Sequence, residues 1–303
     1  MLGQADPWRF GDAVARINWL PHAGRAHRWR GCGPGRDTGA VTTFEYDDDT
    51  AVARQQDGTY RGEVTDRWGA IGGTVNGGYL LGLCTRALQH TLDRPDPLVV
   101  SAYFLRPGRL GPAAVRTDVV RTGRRVSTAQ ARLVQGDKEV LRVLAGFGDL
   151  STHQGRTRVD SKPPELPVPD DCVDVTGGRS LPGLSIVDRL ECRARSVPGW
   201  VQGSPSGDMT AEFWMQFRDG REIDVLAVPS LVDCAAPVVL EDGAMGSSTI
   251  ELTVHVRARP RPGWLACRVS TSNVMDGLHE EDFDMWDSDG TLVAQSRQLA
   301  MVF

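Results

Sequence analysis

The reactive side chain that bears most directly on chemistry is Asp233, which interrupts an apolar stretch of Leu231, Val232, Ala235 and Ala236. A carboxylate in such surroundings is expensive to bury alone, so it should have hydrogen-bonding company, and one held that way can take a proton from water. Other reactive groups lack the setting their chemistry needs. Ser127 and Ser230 stand outside any G-x-S-x-G elbow, which argues against a covalent serine hydrolase. His255 alternates with apolar residues as a packed strand histidine does, and His279 lies in an acidic stretch with no evident partner. The run HEEDFDMWDSD lacks the spaced glycine and terminal glutamate of a calcium-binding hand and reads as a solvated edge strand. GGTVNGG has neither the lysine of a phosphate loop nor G-x-G-x-x-G spacing, and reads as helix-entry geometry. Cys32, Cys84, Cys172, Cys192, Cys234 and Cys267 form no CxxC or Cys/His pair, so a reduced interior without metal or cofactor is expected.

Composition narrows the classes further. The chain has 303 residues, 40% hydrophobic and 24% charged, which is ordinary for a globular protein and long enough for two domains. Its 34 basic residues, all arginine except Lys138 and Lys162, are scattered among 39 acidic ones to leave a net charge of -5, so no nucleic-acid surface is expected. No apolar run has the length of a membrane-spanning helix and the start lacks a secretory core, which points to a cytoplasmic protein.

The elements that must position Asp233 come in two sets. Residues 1–40 show neither a strand nor a helix period, so little packed structure and no catalytic part are expected there. Over 41–150, strand-like VTTFEYDDDTAVARQ and TYRGEVT meet at Asp57-Gly58, a hairpin dipeptide. A helix follows, with Leu80, Leu81, Leu83, Cys84, Ala87 and Leu88 at helical spacing, and then strand-like runs from Leu98 to Phe147. A Pro-, Asp- and Gly-rich stretch over 151–183 reads as a linker. Over 184–303 the order returns: strand-like LSIVDRLECRARSV and MTAEFWMQFRDG, a helical PSLVDCAAPVVLEDG, and four further strand-like runs.

This order implies an internal duplication. Arg106-Pro107 and Arg259-Pro260 lie 153 residues apart, and so do the turns Gly136-Asp137 and Asp289-Gly290. In that register Asp233, Thr249 and Gln298 fall on Leu80, Asp96 and Ala145, two of which cannot position water, so one active site per chain is expected.

An α+β architecture of two repeats, each a long central helix wrapped by an antiparallel sheet, resembles the double-hotdog acyl-CoA thioesterases of type II. GGTVNGGYLLGL followed by SAYFLRPG, and later STIELTVHVRARP and DGTLVAQSRQLAMV, carry the resemblance, which extends over about 43–303. It implies that a water-binding Asp falls on Asp233, a hydroxyl residue on Thr249 and a Gln on Gln298. LTVHVRAR departs from the family's bulkier aromatic-His run, a difference that touches specificity more than chemistry.

Thioester hydrolysis needs an activated water and donors for the oxyanion. Asp233 would be the general base, Thr249 and Gln298 would orient the water, and backbone amides around Asn76, Gly77 and Gly78 at a helix start would hold the oxyanion. Taken singly, Asp233 also reads as a surface residue, Thr249 as an ordinary strand residue and Gln298 as solvent-facing; their joint placement carries the inference. The substrate would be an acyl-CoA or acyl-carrier thioester, with Arg106, Arg109, Arg121, Arg124 and Arg125 available for CoA phosphates, and a homodimer is expected. The alternatives are a hotdog hydratase or dehydratase, whose Asp-x-Asn-x-x-His spacing is absent, and a non-catalytic acyl-binding protein.

Overall fold

The computed structural model describes residues 43–179, 181 and 183–303, so the expectation for 1–40 lies outside the described residues. The first half contributes α1 (Glu45–Asp49), β1 (Ala53–Arg54), β2 (Tyr60–Val64), α2 (Gly77–Leu92), β3 (Asp96–Phe104), β4 (Gly111–Arg121), β5 (Ser127–Gln135) and β6 (Lys138–Gly148). The second contributes β7 (Val173–Asp174), β8 (Leu190–Ala194), α3 (Gly199–Gln202), β9 (Thr210–Phe217), α4 (Val228–Leu231), β10 (Ser247–Val256), β11 (Leu265–Ser270), β12 (Val274–Met275), β13 (Leu278–Trp286) and β14 (Leu292–Val302). The strands form one antiparallel sheet in the order β1-β2-β4-β5-β6-β3-β10-β14-β13-β11-β9-β8-β7, with β12 paired to β13. β3 and β10 join the halves side by side, and β2-β4-β5-β6-β3 on one side mirrors β9-β11-β13-β14-β10 on the other.

α2 is the helix that the apolar spacing predicts. Asn76 caps it by accepting from the Tyr79 N–H at 2.9 Å, and Leu80, Leu81, Leu83, Cys84, Ala87 and Leu88 are all buried against the sheet. The hairpin expected at Asp57-Gly58 is present, with Gly58 at φ +83° where a side chain would be strained. Among the described residues no helix is long and apolar enough to cross a membrane.

Several expectations need correction. Within VTTFEYDDDTAVARQ, Glu45–Asp49 forms a helix and not a strand: α1 docks Tyr46 into the core, where its hydroxyl meets Ser230 Oγ at 2.7 Å. PSLVDCAAPVVLEDG holds only the four-residue α4, a turn and a 3-10 segment over Val238–Asp242 with Pro237 at its N-cap. A long central helix therefore occurs in the first repeat alone. LSIVDRLECRARSV is a 3-10 turn over Ser185–Asp188 followed by the shorter β8, and the end of the linker stretch supplies β7, which pairs with β8. HEEDFDMWDSD is no edge: β13 lies between β11 and β14, with His279, Glu281, Phe283 and Met285 turned inward. His279 is buried and partnered, its Nε2 lying 2.8 Å from Ser247 Oγ, and burial lowers its pKa. His255, in contrast, is exposed on the outer side of β10.

The duplication is present in the sheet, but the gapless 153-residue register is not. β6 and β14 keep it, Ala145 corresponding to Gln298. β3 and β10 are related by 152, because a shift of 153 would place inward Val100 on Thr253, which faces the opposite side of the sheet. The inward row Leu252, Gln298 and Glu281 across β10, β14 and β13 therefore matches Val100, Ala145 and Ala129 across β3, β6 and β5. Each half also has an irregularity at the same place, between Thr249 and Glu251 and between Pro97 and Val99, so Thr249 corresponds to Pro97 and not to Asp96.

Candidate active site

Asp233 follows α4 directly and meets the start of α2 end-on. Asn76 Nδ2 donates to the Asp233 carbonyl at 2.8 Å, and the Gly78 amide lies close enough to the carboxylate to favour its charged form. Glycines permit this approach. A Cβ on Gly77 would lie 2.7 Å from Asp233 Oδ2, and one on Gly78 would lie 2.2 Å from the Ser230 carbonyl oxygen. The GG of VNGGY is thus the contact through which the two repeats meet at the site.

Three further side chains extend from the carboxylate across the sheet. Thr249 Oγ1 lies 3.4 Å from Asp233 Oδ1 and donates to Gln298 Oε1 at 2.8 Å. Gln298 Nε2 donates to Glu281 Oε1 at 2.8 Å, and the Val238 amide donates to Glu281 Oε2 at 2.9 Å. Asp233, Thr249 and Gln298, far apart in sequence, are therefore brought together. Glu281 is not among the candidates that the sequence offers, because the acidic HEEDFDMWD reads as a solvated edge; its alternation with inward Phe283 and Met285 is the signal that reveals it.

Electrostatics sets the carboxylate apart. Burial pushes the Asp233 pKa up to about 7, against the lowering effect of the Gly78 amide and Thr249 hydroxyl. Glu281 is likewise pushed up to about 7 by burial, with the Val238 amide and the Gln298 side chain opposing and the Asp233 charge adding to the rise. A carboxylate that titrates near neutrality is suited to take and return a proton.

Asn76, Gly77 and Gly78 have distinct tasks. Asn76 is the helix cap and the tie to Asp233, and the Gly78 amide lies close to the carboxylate. The Gly77 amide, in the first helical turn and on the cavity wall, has no protein acceptor among the described residues.

Asn76, Gly77, Asp233, Thr249, Glu281 and Gln298 line one cavity of about 670 Å³. Its remaining wall is largely apolar, with Ile186, Leu190, Phe213 and Val238 from the second half and Leu80 and Phe104 from the first. No cluster of metal-ligating side chains occurs among the described residues.

The family model of the acyl-CoA thioesterase N-terminal domain matches residues 64–148, and that of the acyl-CoA thioesterase C-terminal domain matches residues 169–302. The chain belongs to the acyl-CoA thioesterase family. This thioesterase is similar to a candidate thioesterase II from Thermobifida fusca YX, with 30% identity and a TM-score of 0.77 over 88% of this chain and all of that one. It shares the hotdog fold with the acyl-CoA thioesterase II TesB2 from Mycobacterium marinum, at 18% identity and a TM-score of 0.65 over 85% of this chain and 98% of that one. An uncharacterized protein of Mycobacterium tuberculosis is 29% identical over 266 residues, which cover 80% of this chain and 90% of the relative. The thioesterase is a thioester hydrolase with two hotdog halves whose helices have become unequal.

Family membership gives meaning to the arginines as well. Of Arg106, Arg109, Arg121, Arg124 and Arg125, only Arg106 borders the thioesterase cavity, at the end of β3 and exposed.

Proposed function

We propose that this thioesterase hydrolyses a fatty or related acyl-CoA to the free acid and CoA with a water activated by Asp233. The observation that carries this is the Asp233 carboxylate itself: it faces a largely apolar cavity, sits against a helix N-terminus and titrates near neutrality. A water beside Asp233 and Thr249 transfers a proton to the Asp233 carboxylate as its oxygen bonds to the thioester carbonyl carbon. The carbonyl oxygen becomes an oxyanion, for which the Gly77 amide is the available donor. Collapse of the intermediate breaks the carbon–sulfur bond, and the proton on Asp233 passes to the departing thiolate. The apolar wall takes the acyl chain, and Arg106 meets a CoA phosphate. A hydratase would require a histidine beside the carboxylate, whereas His255 is exposed and His279 is bonded to Ser247.

The test is thiol release from short, medium and long acyl-CoAs, comparing the wild-type chain with Asp233→Asn. A folded variant slowed by about 100-fold or more, the scale of a lost general base, supports the reading. Unchanged turnover in the variant removes Asp233 as the base, and no release from any acyl-CoA removes the CoA thioester as substrate.

A further inference from the structure

Glu281 lies directly across from Gln298 in the sheet, points inward and is 7% exposed. Its two oxygens are committed to different donors, Oε2 to the Val238 backbone amide and Oε1 to Gln298 Nε2. The first donor is fixed by the backbone. The second decides which way round the Gln298 amide stands, because above about pH 7 Glu281 is ionised, and an ionised carboxylate only accepts and so draws the nitrogen end towards itself.

The consequence passes along the chain. With its nitrogen on Glu281, Gln298 presents Oε1 to Thr249 and takes the hydroxyl proton at 2.8 Å. A hydroxyl has one proton to give. Thr249 Oγ1 has two acceptors within reach, Gln298 Oε1 at 2.8 Å and Asp233 Oδ1 at 3.4 Å, and with its proton on the nearer one it turns lone pairs towards the space beside Asp233. A water there gives one proton to Asp233 and the other to Thr249, and its lone pair is left for the thioester carbon. If residue 281 were a donor, Gln298 would turn over and donate to Thr249, Thr249 would give its proton to Asp233, and the water would lose Thr249 as the second acceptor that orients it.

We propose that Glu281 is a positioning residue that fixes the direction of the hydrogen bonds from Gln298 to Thr249, and with it the orientation of the attacking water. This rests on the reading of Asp233 as the base. Burial of a carboxylate here is otherwise costly, and its matched position in the first half, where no such chain exists, is Ala129.

Glu281→Gln tests the idea with little change in shape. The Val238 amide should hold the oxygen of the new side chain, so its NH2 faces residue 298 and reverses the chain. In steady-state kinetics on the fastest acyl-CoA of the panel, kcat should fall about 10- to 100-fold while KM changes by less than about twofold, the signature of misorientation without loss of binding. The swap Glu281→Gln with Gln298→Glu puts a donor at 281 and an acceptor at 298, restores the direction, and should recover kcat at least tenfold over Glu281→Gln. Thermal unfolding checks that each variant is folded. Wild-type kcat in Glu281→Gln, or a swap no faster than the single variant, overturns the proposal while an inactive Asp233→Asn leaves the base assignment standing. An Asp233→Asn variant with full turnover overturns both.

Discussion

The two halves place the same strands around opposite interiors. In the first, the 16-residue α2 fills the concave face of the sheet, and the inward row is Val100, Ala145 and Ala129. In the second, α4 has four residues, the concave face opens onto the cavity, and the matched row is Leu252, Gln298 and Glu281. A duplicated scaffold can thus keep one copy as a packed support and shorten the helix of the other to make room for polar chemistry. Asp96, a buried acidic residue of the first half, illustrates the contrast. Asp96 is 1% exposed but fully engaged, accepting from Arg259 at 2.9 Å and from the Leu150 amide at 2.6 Å, so it ties the start of β3 to the end of β10 and does not line the 670 Å³ cavity.

The comparison is broken most sharply by Asp233→Asn, for which the expected loss in kcat is about 100-fold or more. No single inward substitution in the first half should approach that value without unfolding the protein.

Exchanging the rows comes next. Ala145→Gln forces a long amide into a filled core and leaves it short of partners, with an expected loss of about 3 kcal/mol in urea unfolding. Gln298→Ala should cost less stability than that and more turnover, because the second half has a cavity to relax into. Equal stability losses at the two positions would break the contrast.

The pH dependence is smaller and its sign follows from burial. The Asp233 pKa rises from 3.8 to about 7, so between those values the folded chain holds a proton that the unfolded chain has lost. This group therefore reduces stability as pH rises through that window, and the penalty is complete above about 7. Asp233→Asn should raise Tm relative to wild type more at pH 8 than at pH 4. For the same reason, wild-type kcat/KM should fall as pH is lowered through about 7.

The smallest effects separate two arginines at corresponding ends of β3 and β10. Arg259→Ala leaves Asp96 with a single donor and should lower Tm by about 2–4 °C with KM unchanged. Arg106→Ala should leave Tm unchanged and raise KM for acyl-CoA about fivefold, less so at high salt, where exposed charges are screened.

Local signals were the readable part of this molecule. The apolar spacing of α2, the Asp57-Gly58 hairpin and the strand alternation of β3 to β6 depend on neighbours in sequence, and each is where the residues place it. The candidates Asp233, Thr249 and Gln298 were also readable, through resemblance and through the cost of a carboxylate among apolar residues. Glu281 was not, because an acidic residue in a strand looks solvated until the strand is known to lie inside a sheet. The second helix was over-read for a similar reason: apolar residues between Leu226 and Leu240 fit a helical period, yet tertiary packing against α2 buries them in a turn instead.

By itself the sequence determined the long helix α2, most of the strands that surround it and their recurrence in the second half, and that Asp233 stands where an apolar residue is expected. The tertiary structure decided the register between the repeats, since a slip of one residue is invisible in composition but turns a side chain to the other face. It also decided the state of Asp233, because the pKa of a carboxylate depends on what surrounds it in space: the end of α2, the Gly78 amide and Thr249, all distant in the chain.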